Sequence, residues 1–263
     1  MSKICVLGKD ERSEFLRKKY VRENIELGHY SNSDFIIAPI PFTRDNYYIN
    51  NEDIKVDEII FSLKKKKDSI LITGGLNEES IQKLKVNNIK FYDIMESESF
   101  VEKNANATAE GTIKIIMENT IKTIQDLNIM IIGYGRIGKK LTSLLKAFNS
   151  NIIVVTRREE VKEKLTKENI TTELTKNIYD VVSRVDVIIN TAPAIFLKDK
   201  VLENIKKETL IIDVASKPGG VDFIKAEKLG LRVLWELGIP SKYSPDSAAS
   251  FIKEEVDRIM KNK

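Results

Sequence analysis

The sequence predicts an α/β protein made of parallel sheets and divided into two domains. Short apolar segments alternate with amphipathic helical segments along the chain, which is the order that parallel β-α-β units require. The apolar segment 128–132 runs directly into a glycine-rich turn and a helical segment, as in a doubly wound sheet. With 263 residues, of which 42% are hydrophobic, the chain can form a core in each of two domains.

The composition excludes several classes of function. The net charge of +4 results from 43 basic and 39 acidic residues spread along the chain, so we expect no binding to nucleic acid. No apolar stretch approaches the roughly 20 residues that span a bilayer. The one cysteine, Cys5, lies in an apolar strand pattern and cannot form a disulfide within the chain. We therefore expect a soluble cytoplasmic protein that does not contact membranes, and we predict no metal site.

The first predicted domain, residues 1–104, is a smaller α/β domain that we assign to the flavodoxin-like type. Its strands are predicted at 3–7, 34–38, 69–73 and 89–92, and its helices at 11–21 and 78–86. The glycine turns at Gly8 and Gly74 do not complete a dinucleotide fingerprint, so we expect no nucleotide there. Residues 39–53 lack periodicity and contain three aromatic residues and Arg44. Long loops of this kind often carry function.

A long amphipathic helix is predicted over residues 106–124, and we assign residues 105–124 to the connection between the domains. Its periodic positions are 109, 113, 116, 120 and 124. Asn106 or Thr108 could cap its start, and Glu110 in the first turn would then stabilise the helix dipole. Glu110 could instead face a cleft between the domains as a catalytic carboxylate. The sequence leaves both roles open.

The second domain, residues 125–245, opens with the strand 128–132 and a glycine turn. This turn has the sequence Gly133-Tyr134-Gly135-Arg136-Ile137-Gly138. Gly133 permits the tight turn, Gly135 lets a pyrophosphate approach the backbone, and Gly138 lets the helix pack closely on the strand. We therefore predict a Rossmann domain with a phosphate site at this turn, which includes Arg136 and Ile137 at the helix N-terminus. The alternative is a turn whose glycines serve packing alone.

The end of the second strand, 151–155, indicates which cofactor the domain binds. An acidic residue there would accept hydrogen bonds from the ribose 2′-hydroxyl of NAD, but this chain has Thr156, Arg157 and Arg158. Guanidinium groups suit a 2′-phosphate, so NADP is favoured and NAD remains an alternative. Glu159 and Glu160 could instead pair with the two arginines at the surface.

The remaining elements complete the second domain. We predict helices at 161–168, 178–183 and 223–229 and strands at 185–190, 210–214 and 231–235. The central strand 185–190 ends in Asn190-Thr191-Ala192-Pro193, and we expect these residues to line the nicotinamide side of the site. Residues 246–263 form a C-terminal helical region, with the helix at 247–260, which could pack back on the first domain.

Several of these segments resemble the family of dipicolinate synthase A subunits. The resemblance lies in 108–112, the glycine turn, 190–193, 213–220 and 238–240. The chain departs from the family at residues 8–13, where the family has a Gly-Gly-Asp-x-Arg-Gln pattern, at Ala107, where it has Pro, and at Ser241, where it has Gly.

The resemblance implies a function in spore formation. The implied reaction is the oxidation of a dihydrodipicolinate, formed by dehydration of 4-hydroxy-tetrahydrodipicolinate, to dipicolinate, with hydride passed to NADP+. The resemblance also implies that the partner is a flavoprotein-like B subunit and that the protein is located in the mother cell of a sporulating bacterium. A homodimer remains open.

The side chains that the sequence offers for acid-base chemistry agree with this reaction. Alcohol oxidation in a related 2-hydroxy acid dehydrogenase needs a histidine, and His29 is the only histidine here, in a loop of the first domain. Aromatisation is downhill and mainly requires positioning of the substrate. Two substrate carboxylates require cations or N–H donors, and Lys217, at the carboxyl end of a central strand, is the best placed candidate. We also predict Ser216 and Lys217 as catalytic candidates, together with Glu110. Further candidates, each of which could also be a solvated surface residue, are Arg44, Lys242 and Arg12.

Three functions remain open from the sequence. The chain could be an NADP-dependent dehydrogenase of a cyclic dicarboxylate, or a dehydrogenase of another small carboxylic acid on the same scaffold. It could also be a sensor or scaffold protein that binds NADP(H) without turnover. The cluster at residues 216–220 favours an anionic substrate.

Overall fold

The computed structural model describes residues 3–66 and 68–262. The strands are β1 Ile4–Val6, β2 Phe35–Ile37, β3 Ile70–Thr73, β4 Lys90–Asp93, β5 Asn128–Ile132, β6 Asn151–Thr156, β7 Thr171–Leu174, β8 Val187–Asn190, β9 Leu210–Asp213 and β10 Arg232–Trp235. The helices are α1 Glu11–Arg22, α2 Val56–Lys65, α3 Glu78–Val86, α4 Glu98–Asn119, α5 Arg136–Ala147, α6 Glu159–Lys167, α7 Ile178–Val182, α8 Asp199–Glu203, α9 Phe223–Lys228, α10 Ile239–Tyr243 and α11 Pro245–Lys261.

The chain forms two compact units. The first unit contains Met1–Asn104 and Pro240–Lys263, and the second contains Ala105–Ile239. The C-terminal helix α11 therefore belongs to the first unit, and α4 begins in the first unit and continues in the second.

The first unit is built on a parallel sheet of order β1-β2-β3-β4. Leu27 forms a further parallel bridge with Ile4, next to β1. When this short segment is counted as a strand, the order becomes 2-1-3-4-5, which is the flavodoxin-like order that the sequence predicts. Alternate residues of the strands pack on the two faces of the sheet. One face carries apolar residues of α1 and α11, and the other carries apolar residues of α2 and α3.

The second unit is a doubly wound parallel sheet. Its six strands lie in the order β10-β9-β8-β5-β6-β7, so the strand order reverses between β5 and β8. Ligands of such sheets bind at the carboxyl ends of the strands next to this reversal. The predicted fold class is confirmed. Predicted strands and helices other than α4 lie within two residues of the observed bounds. Helix α2 was not predicted either, although it has ten residues. The short elements β7, α8 and α10 escaped prediction because four or five residues carry too little periodicity.

The prediction for the long helix is wrong at both ends. The structure places α4 at Glu98–Asn119, so it begins eight residues before the predicted start. Phe100 is buried in the core of the first unit and extends the apolar face toward the N-terminus. Asn106 and Thr108 therefore lie inside the helix and cannot cap it, and Glu110 is not in the first turn. The helix ends at Asn119, whose side-chain amide donates to the carbonyl of Ile115 at 2.8 Å.

Within residues 3–66 and 68–262, no helix is both long enough and apolar enough to cross a lipid bilayer.

Candidate cofactor and substrate site

The glycine turn between β5 and α5 has one open position and two crowded ones. A Cβ on Gly138 would lie 2.2 Å from the carbonyl oxygen of Gly133, and Gly133 itself has a φ of +97°. Gly133 and Gly138 therefore need to be glycine for the turn and for close packing of the helix. A Cβ on Gly135 would have no heavy atom within 4 Å. The space beside Gly135, at the N-terminus of α5, fits a pyrophosphate that approaches the backbone.

A cavity of about 430 Å³ opens at this turn. Of the predicted cofactor residues, it is lined by Gly133, Gly135, Thr156, Arg157, Arg158, Thr191 and Pro193. It is also lined by Ala192, which the sequence places on the nicotinamide side. Four further lining residues were not expected from the sequence, namely Tyr134, Val155, Thr175 and Phe196. Arg136, Ile137, Gly138 and Asn190 are not among its lining residues. Tyr134 packs on the apolar cluster that contains Val154 and Leu165, and its position between two glycines could have indicated this role.

Tyr134 is half-buried. Burial raises the pKa of this phenol, and the nearby carboxylate of Glu168 raises it further. The ring therefore remains neutral under physiological conditions and contributes an apolar wall to the cavity.

The two arginines after β6 have different surroundings. The guanidinium of Arg158 donates to the carbonyl oxygen of Tyr134 at 3.1 Å and lies 3.8 Å from Glu160. Arg157 is exposed and has no hydrogen-bond or ion-pair partner in the part of the chain that the structure describes. The alternative pairing with acidic neighbours thus applies to Arg158 and not to Arg157, because Glu159 lies near Lys176 instead, at 3.9 Å.

Asn190 lies under the cavity wall and does not line the cavity. Its side chain is fully buried, and its Nδ2 donates to the carboxylate of Asp213 at 2.8 Å and to the carbonyl of Ala192 at 3.0 Å. Thr191, by contrast, is half-buried and donates its hydroxyl to the carbonyl of Ile132 at 2.9 Å. The prediction that Asn190 contacts the cofactor does not agree with this geometry, because its amide is already bound within the protein.

Ser216 and Lys217 lie on an exposed turn after β9. The turn is closed by the amide of Gly219, which donates to the carbonyl of Ser216 at 2.9 Å. Lys217 has no hydrogen-bond or ion-pair partner among residues 3–66 and 68–262. The amine of Lys217 is therefore available to a ligand carboxylate.

The candidate cation Arg12 is already paired in the first unit. Its side chain is buried and donates to the carboxylate of Asp10 at 3.2 Å and to the carbonyl of Ile40 at 3.3 Å. Burial lowers the pKa of the guanidinium, and Asp10 partly offsets this effect. The expectation that Arg12 could bind substrate is therefore not supported.

Arg44 and Lys242 are exposed residues of the first unit. The Nε of Arg44 donates to Asn50 at 2.9 Å, and Arg44 lines a cavity that also contains Asp45, Glu52 and Asp53. Three carboxylates beside one guanidinium make this cavity unfavourable for a dicarboxylate. Lys242 lies on α10.

Glu110 is exposed on α4, and its carboxylate accepts a hydrogen bond from Asn106 at 2.7 Å. The described residues contain no group of three or more His, Cys, Asp or Glu side chains arranged to hold a metal ion.

Comparison with protein families shows a match over the middle of the chain. The family described as D-isomer specific 2-hydroxyacid dehydrogenase, NAD binding domain, matches residues 93–218. This segment contains the glycine turn, the strand end with Arg157, and the turn with Lys217. The match to an NAD-binding domain supports a nicotinamide cofactor.

Two characterised relatives resemble the chain in sequence. The A subunit of dipicolinate synthase from Bacillus subtilis (strain 168) is 26% identical over 245 residues, which cover 91% of this chain and 82% of the relative. Shikimate dehydrogenase (NADP(+)) of Methanosphaera stadtmanae is 30% identical over 167 residues, which cover 57% of this chain and 56% of that enzyme.

Solved structures show the same fold. The A subunit of dipicolinate synthase from Bacillus halodurans superposes with a TM-score of 0.86 at 24% identity, over 98% of this chain and 97% of that chain. D-2-hydroxyisocaproate dehydrogenase superposes with a TM-score of 0.60 at 11% identity, over 100% of this chain and 98% of that chain. The predicted resemblance to dipicolinate synthase A subunits is confirmed.

Proposed function

We propose that this chain, an NAD(P)-dependent oxidoreductase that resembles dipicolinate synthase A subunits, oxidises a dihydrodipicolinate to dipicolinate. The observation that carries the proposal is the similarity to the A subunit of a dipicolinate synthase over 91% of the chain. The substrate would form from 4-hydroxy-tetrahydrodipicolinate by loss of water. Its oxidation releases one hydride and one proton, and the pyridine ring becomes aromatic.

The protein's contribution to this reaction is mainly positioning. NADP+, when bound, accepts the hydride. The N-terminus of α5 and the open side of Gly135 would hold the pyrophosphate. Because the product is aromatic, the reaction is strongly downhill and needs no strong base. Binding in the correct orientation supplies most of the acceleration.

We propose NADP as the preferred form of the cofactor. Arg157 supports this preference, because it is exposed at the end of β6 and lines the cavity. Its guanidinium can form charge-assisted hydrogen bonds with a 2′-phosphate. Thr156 occupies the strand end where NAD-specific domains carry an acidic residue.

We propose that Lys217 binds one substrate carboxylate. It follows β9, whose carboxyl end lies at the ligand edge of the doubly wound sheet. A carboxylate that leaves water requires a cation or several N–H donors to replace its hydration. Ser216, on the same turn, can donate its hydroxyl. The roles of Arg44, Lys242 and Glu110 as further substrate or catalytic residues remain proposals without added support from their surroundings.

A dehydrogenase of 2-hydroxy acids is the second candidate, because the matching family has that description. His29 argues against it. This histidine lies in the first unit near Ser31, with a distance of 2.9 Å from Nδ1 to the hydroxyl, and it stacks beside Tyr30. Neither neighbour is a carboxylate of the kind that activates a catalytic histidine.

We further propose that the chain works with a second protein, the B subunit that the name of its relative implies, in the mother cell of a sporulating bacterium. This B subunit would supply or channel the unstable substrate. An NADP(H)-binding protein without its own turnover is the corresponding alternative.

The deciding experiment follows nicotinamide absorbance with freshly generated 4-hydroxy-tetrahydrodipicolinate. The purified chain is supplied with NADP+ or NAD+, with and without the B subunit, and dipicolinate is quantified in parallel. A second set of assays replaces this substrate with 2-hydroxy acids. Formation of equal amounts of NADPH and dipicolinate is expected. Reduction of NADP+ with 2-hydroxy acids only would favour the second candidate. Cofactor binding without reduction under any of these conditions would favour the non-catalytic alternative.

A further inference from the structure

Asp213 carries a fully buried carboxylate at the end of β9. It has no exposed surface, and its neighbour Asn190 on β8 is equally buried. The carboxylate accepts three hydrogen bonds, from the side-chain amide of Asn190 at 2.8 Å and from the backbone amides of Ala215 at 3.0 Å and Gly220 at 2.7 Å. A buried charge without such donors would be strongly destabilising. A carboxylate at this buried position can hold several N–H donors at once, which an apolar residue could not do.

The two backbone donors stand at the two ends of the turn that carries Lys217. One carboxylate thus fixes the turn at Ala215 before Ser216 and at Gly220 after Gly219. The carbonyl of Gly220 is held as well, since it accepts the amides of Phe196 at 3.1 Å and Leu197 at 3.0 Å. The path of the turn is therefore set by Asp213 from inside the protein.

The glycines of the turn pack directly against this buried pair. A Cβ on Gly220 would lie 2.1 Å from Nδ2 of Asn190. A Cβ on Gly219, which has a φ of +83°, would lie 2.8 Å from the carboxylate of Asp213. The backbone can reach the carboxylate only because both residues lack a side chain.

Asn190 connects the same carboxylate to the cofactor cavity. Its Nδ2 donates to the carbonyl of Ala192, and its Oδ1 accepts the amide of Ala192 at 3.3 Å. Ala192 lines the cavity at the glycine turn. The buried pair therefore joins the loop beside the cofactor to the turn that presents Lys217.

We propose that Asp213 is a positioning residue that holds the turn 214–220 in the conformation that binds the anionic substrate. This inference rests on the proposed function, because it assigns the substrate carboxylate to Lys217. Asp213 acts through the turn and does not touch the substrate. Its loss should weaken substrate binding and leave cofactor binding nearly unchanged, since Asn190 keeps its own bonds to Ala192.

Asp213→Asn tests the proposal with a side chain of the same shape. An asparagine has one acceptor oxygen and cannot satisfy donors on both sides. The less costly orientation keeps the oxygen toward Asn190 and Ala215 and turns the amide toward Gly220, so the Gly220 end of the turn is released. We expect KM for the dihydro substrate to rise about tenfold to a hundredfold. The NADPH dissociation constant should stay close to the wild-type value.

Asp222→Asn is the matched control. Asp222 lies two residues after Gly220 and caps α9, where its carboxylate accepts the amide of Lys225 at 3.0 Å. Asparagine caps a helix about as well as aspartate. The same chemical change should therefore leave KM and stability unchanged.

Trp235 reports the state of the turn without any ligand. It is the only tryptophan of the chain, its indole N–H donates to the carbonyl of Ala215 at 3.1 Å, and its ring stacks on Phe223 at 4.8 Å. Phe223 also lies beside the other end of the turn, since a Cβ on Gly219 would be 3.3 Å from its ring. Release of the Gly220 end in Asp213→Asn should therefore shift the tryptophan emission, and Asp222→Asn should not. Trp235→Phe removes the indole N–H that donates to Ala215 but keeps the stacking, and it should raise KM by a smaller factor than Asp213→Asn.

Calorimetric titration with dipicolinate separates this inference from the proposed function. The inference is supported if the wild type binds dipicolinate and both Asp213→Asn and Lys217→Met bind it similarly more weakly. This result supports the inference even if the chain shows no turnover and the proposed reaction fails. The inference is overturned, and the proposed reaction is left intact, if Asp213→Asn has the same dipicolinate affinity, KM and tryptophan emission as the wild type. No dipicolinate binding by the wild type would also overturn it. Should Asp213→Asn not fold, an unchanged KM in Trp235→Phe overturns it and a raised KM supports it.

Discussion

Two turns at equivalent places in the two units show opposite chemistry. Each turn follows the first strand of its sheet, begins with a glycine at positive φ, and leads into a helix. In the first unit, the amide of Gly8 donates to the carboxylate of Glu52 at 2.6 Å, and Asp10 caps α1 by accepting the amide of Ser13 at 2.8 Å. In the second unit, the N-cap of α5 is Gly135, which offers no side-chain cap.

A second turn of the first unit, between β3 and α3, also has its amides bound by a carboxylate of the protein. The amides of Gly75 and Leu76 donate to the two oxygens of Asp93 at 3.1 and 2.9 Å. Helix N-termini and glycine turns attract anions because their amides point outward. The first unit satisfies these amides with its own carboxylates, while the second unit keeps them accessible to a phosphate. The parallel fold therefore does not determine where a nucleotide binds, and a few acidic side chains do.

The largest expected effect comes from closing the turn of the second unit. Gly135→Val places a branched side chain in the space beside the α5 N-terminus, where a Cβ meets no other atom. The fold should persist, and the dissociation constants of NADPH and NADH should both rise at least about a hundredfold, or ~2.7 kcal/mol. Calorimetry with both cofactors measures this change. Wild-type affinity in a folded variant would mean that the glycine serves only packing.

Lys217→Met removes a cation that has no partner among the described residues of the chain. If Lys217 binds a carboxylate, kcat/KM should fall about tenfold to a thousandfold, which corresponds to roughly 1.4 to 4 kcal/mol. NADPH affinity should remain near wild type. Methionine reproduces the apolar stem of lysine, so a lysine that only covers surface would give no loss.

Lys228→Met is the control for this variant, since Lys228 is an exposed lysine at the end of α9 in the same unit. It should leave kcat/KM unchanged. A joint loss of substrate turnover and cofactor affinity in Lys217→Met would instead place Lys217 at the cofactor.

The two arginines after β6 should respond differently to substitution. Arg157→Asp should weaken NADPH binding by roughly 1 to 3 kcal/mol and NADH binding less, because only NADPH carries the 2′-phosphate. Arg158→Ala should weaken both cofactors to a similar extent, because Arg158 holds the carbonyl of Tyr134 in the glycine turn. Equal losses for NADPH and NADH in Arg157→Asp would contradict the 2′-phosphate assignment.

The sequence predicted those parts of the molecule that depend on local pattern. Apolar runs located the longer strands. The spacing of Gly133, Gly135 and Gly138 indicated the phosphate turn, because the local backbone geometry and close contacts there require glycine. The start of α4 was missed since the burial of Phe100 depends on tertiary packing.

The polar pairings were beyond prediction for a related reason. Asn190 and Asp213 are 23 positions apart and meet only because β8 and β9 are neighbours. Arg12 was a candidate substrate cation from the sequence, yet in the structure its guanidinium donates to the carbonyl of Ile40, 28 positions away. A side chain's availability to a ligand depends on such distant partners, which periodicity does not reveal.

The smallest effect on function is expected from a substitution of Asp10, in the turn after β1 whose amides are bound by the protein's own carboxylates. Asp10 lies between Arg12 and the hydroxyls of Ser13 and Ser241, the last of which donates at 2.9 Å. Burial alone would raise the pKa of the Asp10 carboxyl, but the charge of Arg12 and the hydrogen bonds outweigh burial and lower it. Asp10→Asn should therefore cost roughly 1 kcal/mol of unfolding free energy at neutral pH, since neutral hydrogen bonds replace charge-assisted ones.

The sign of the pH dependence follows from this lowered pKa. The contribution of Asp10 is complete above the unfolded-state value of about 3.9 and declines as the pH falls through the lower value of the folded state. Urea unfolding of the wild type and of Asp10→Asn should thus differ at pH 7, and the difference should shrink in solutions more acidic than about pH 4. Cofactor affinity should be the same in Asp10→Asn as in the wild type at pH 7. An altered NADPH affinity in Asp10→Asn would mean that the closed turn of the first unit also takes part in binding, and the contrast between the two turns would no longer hold.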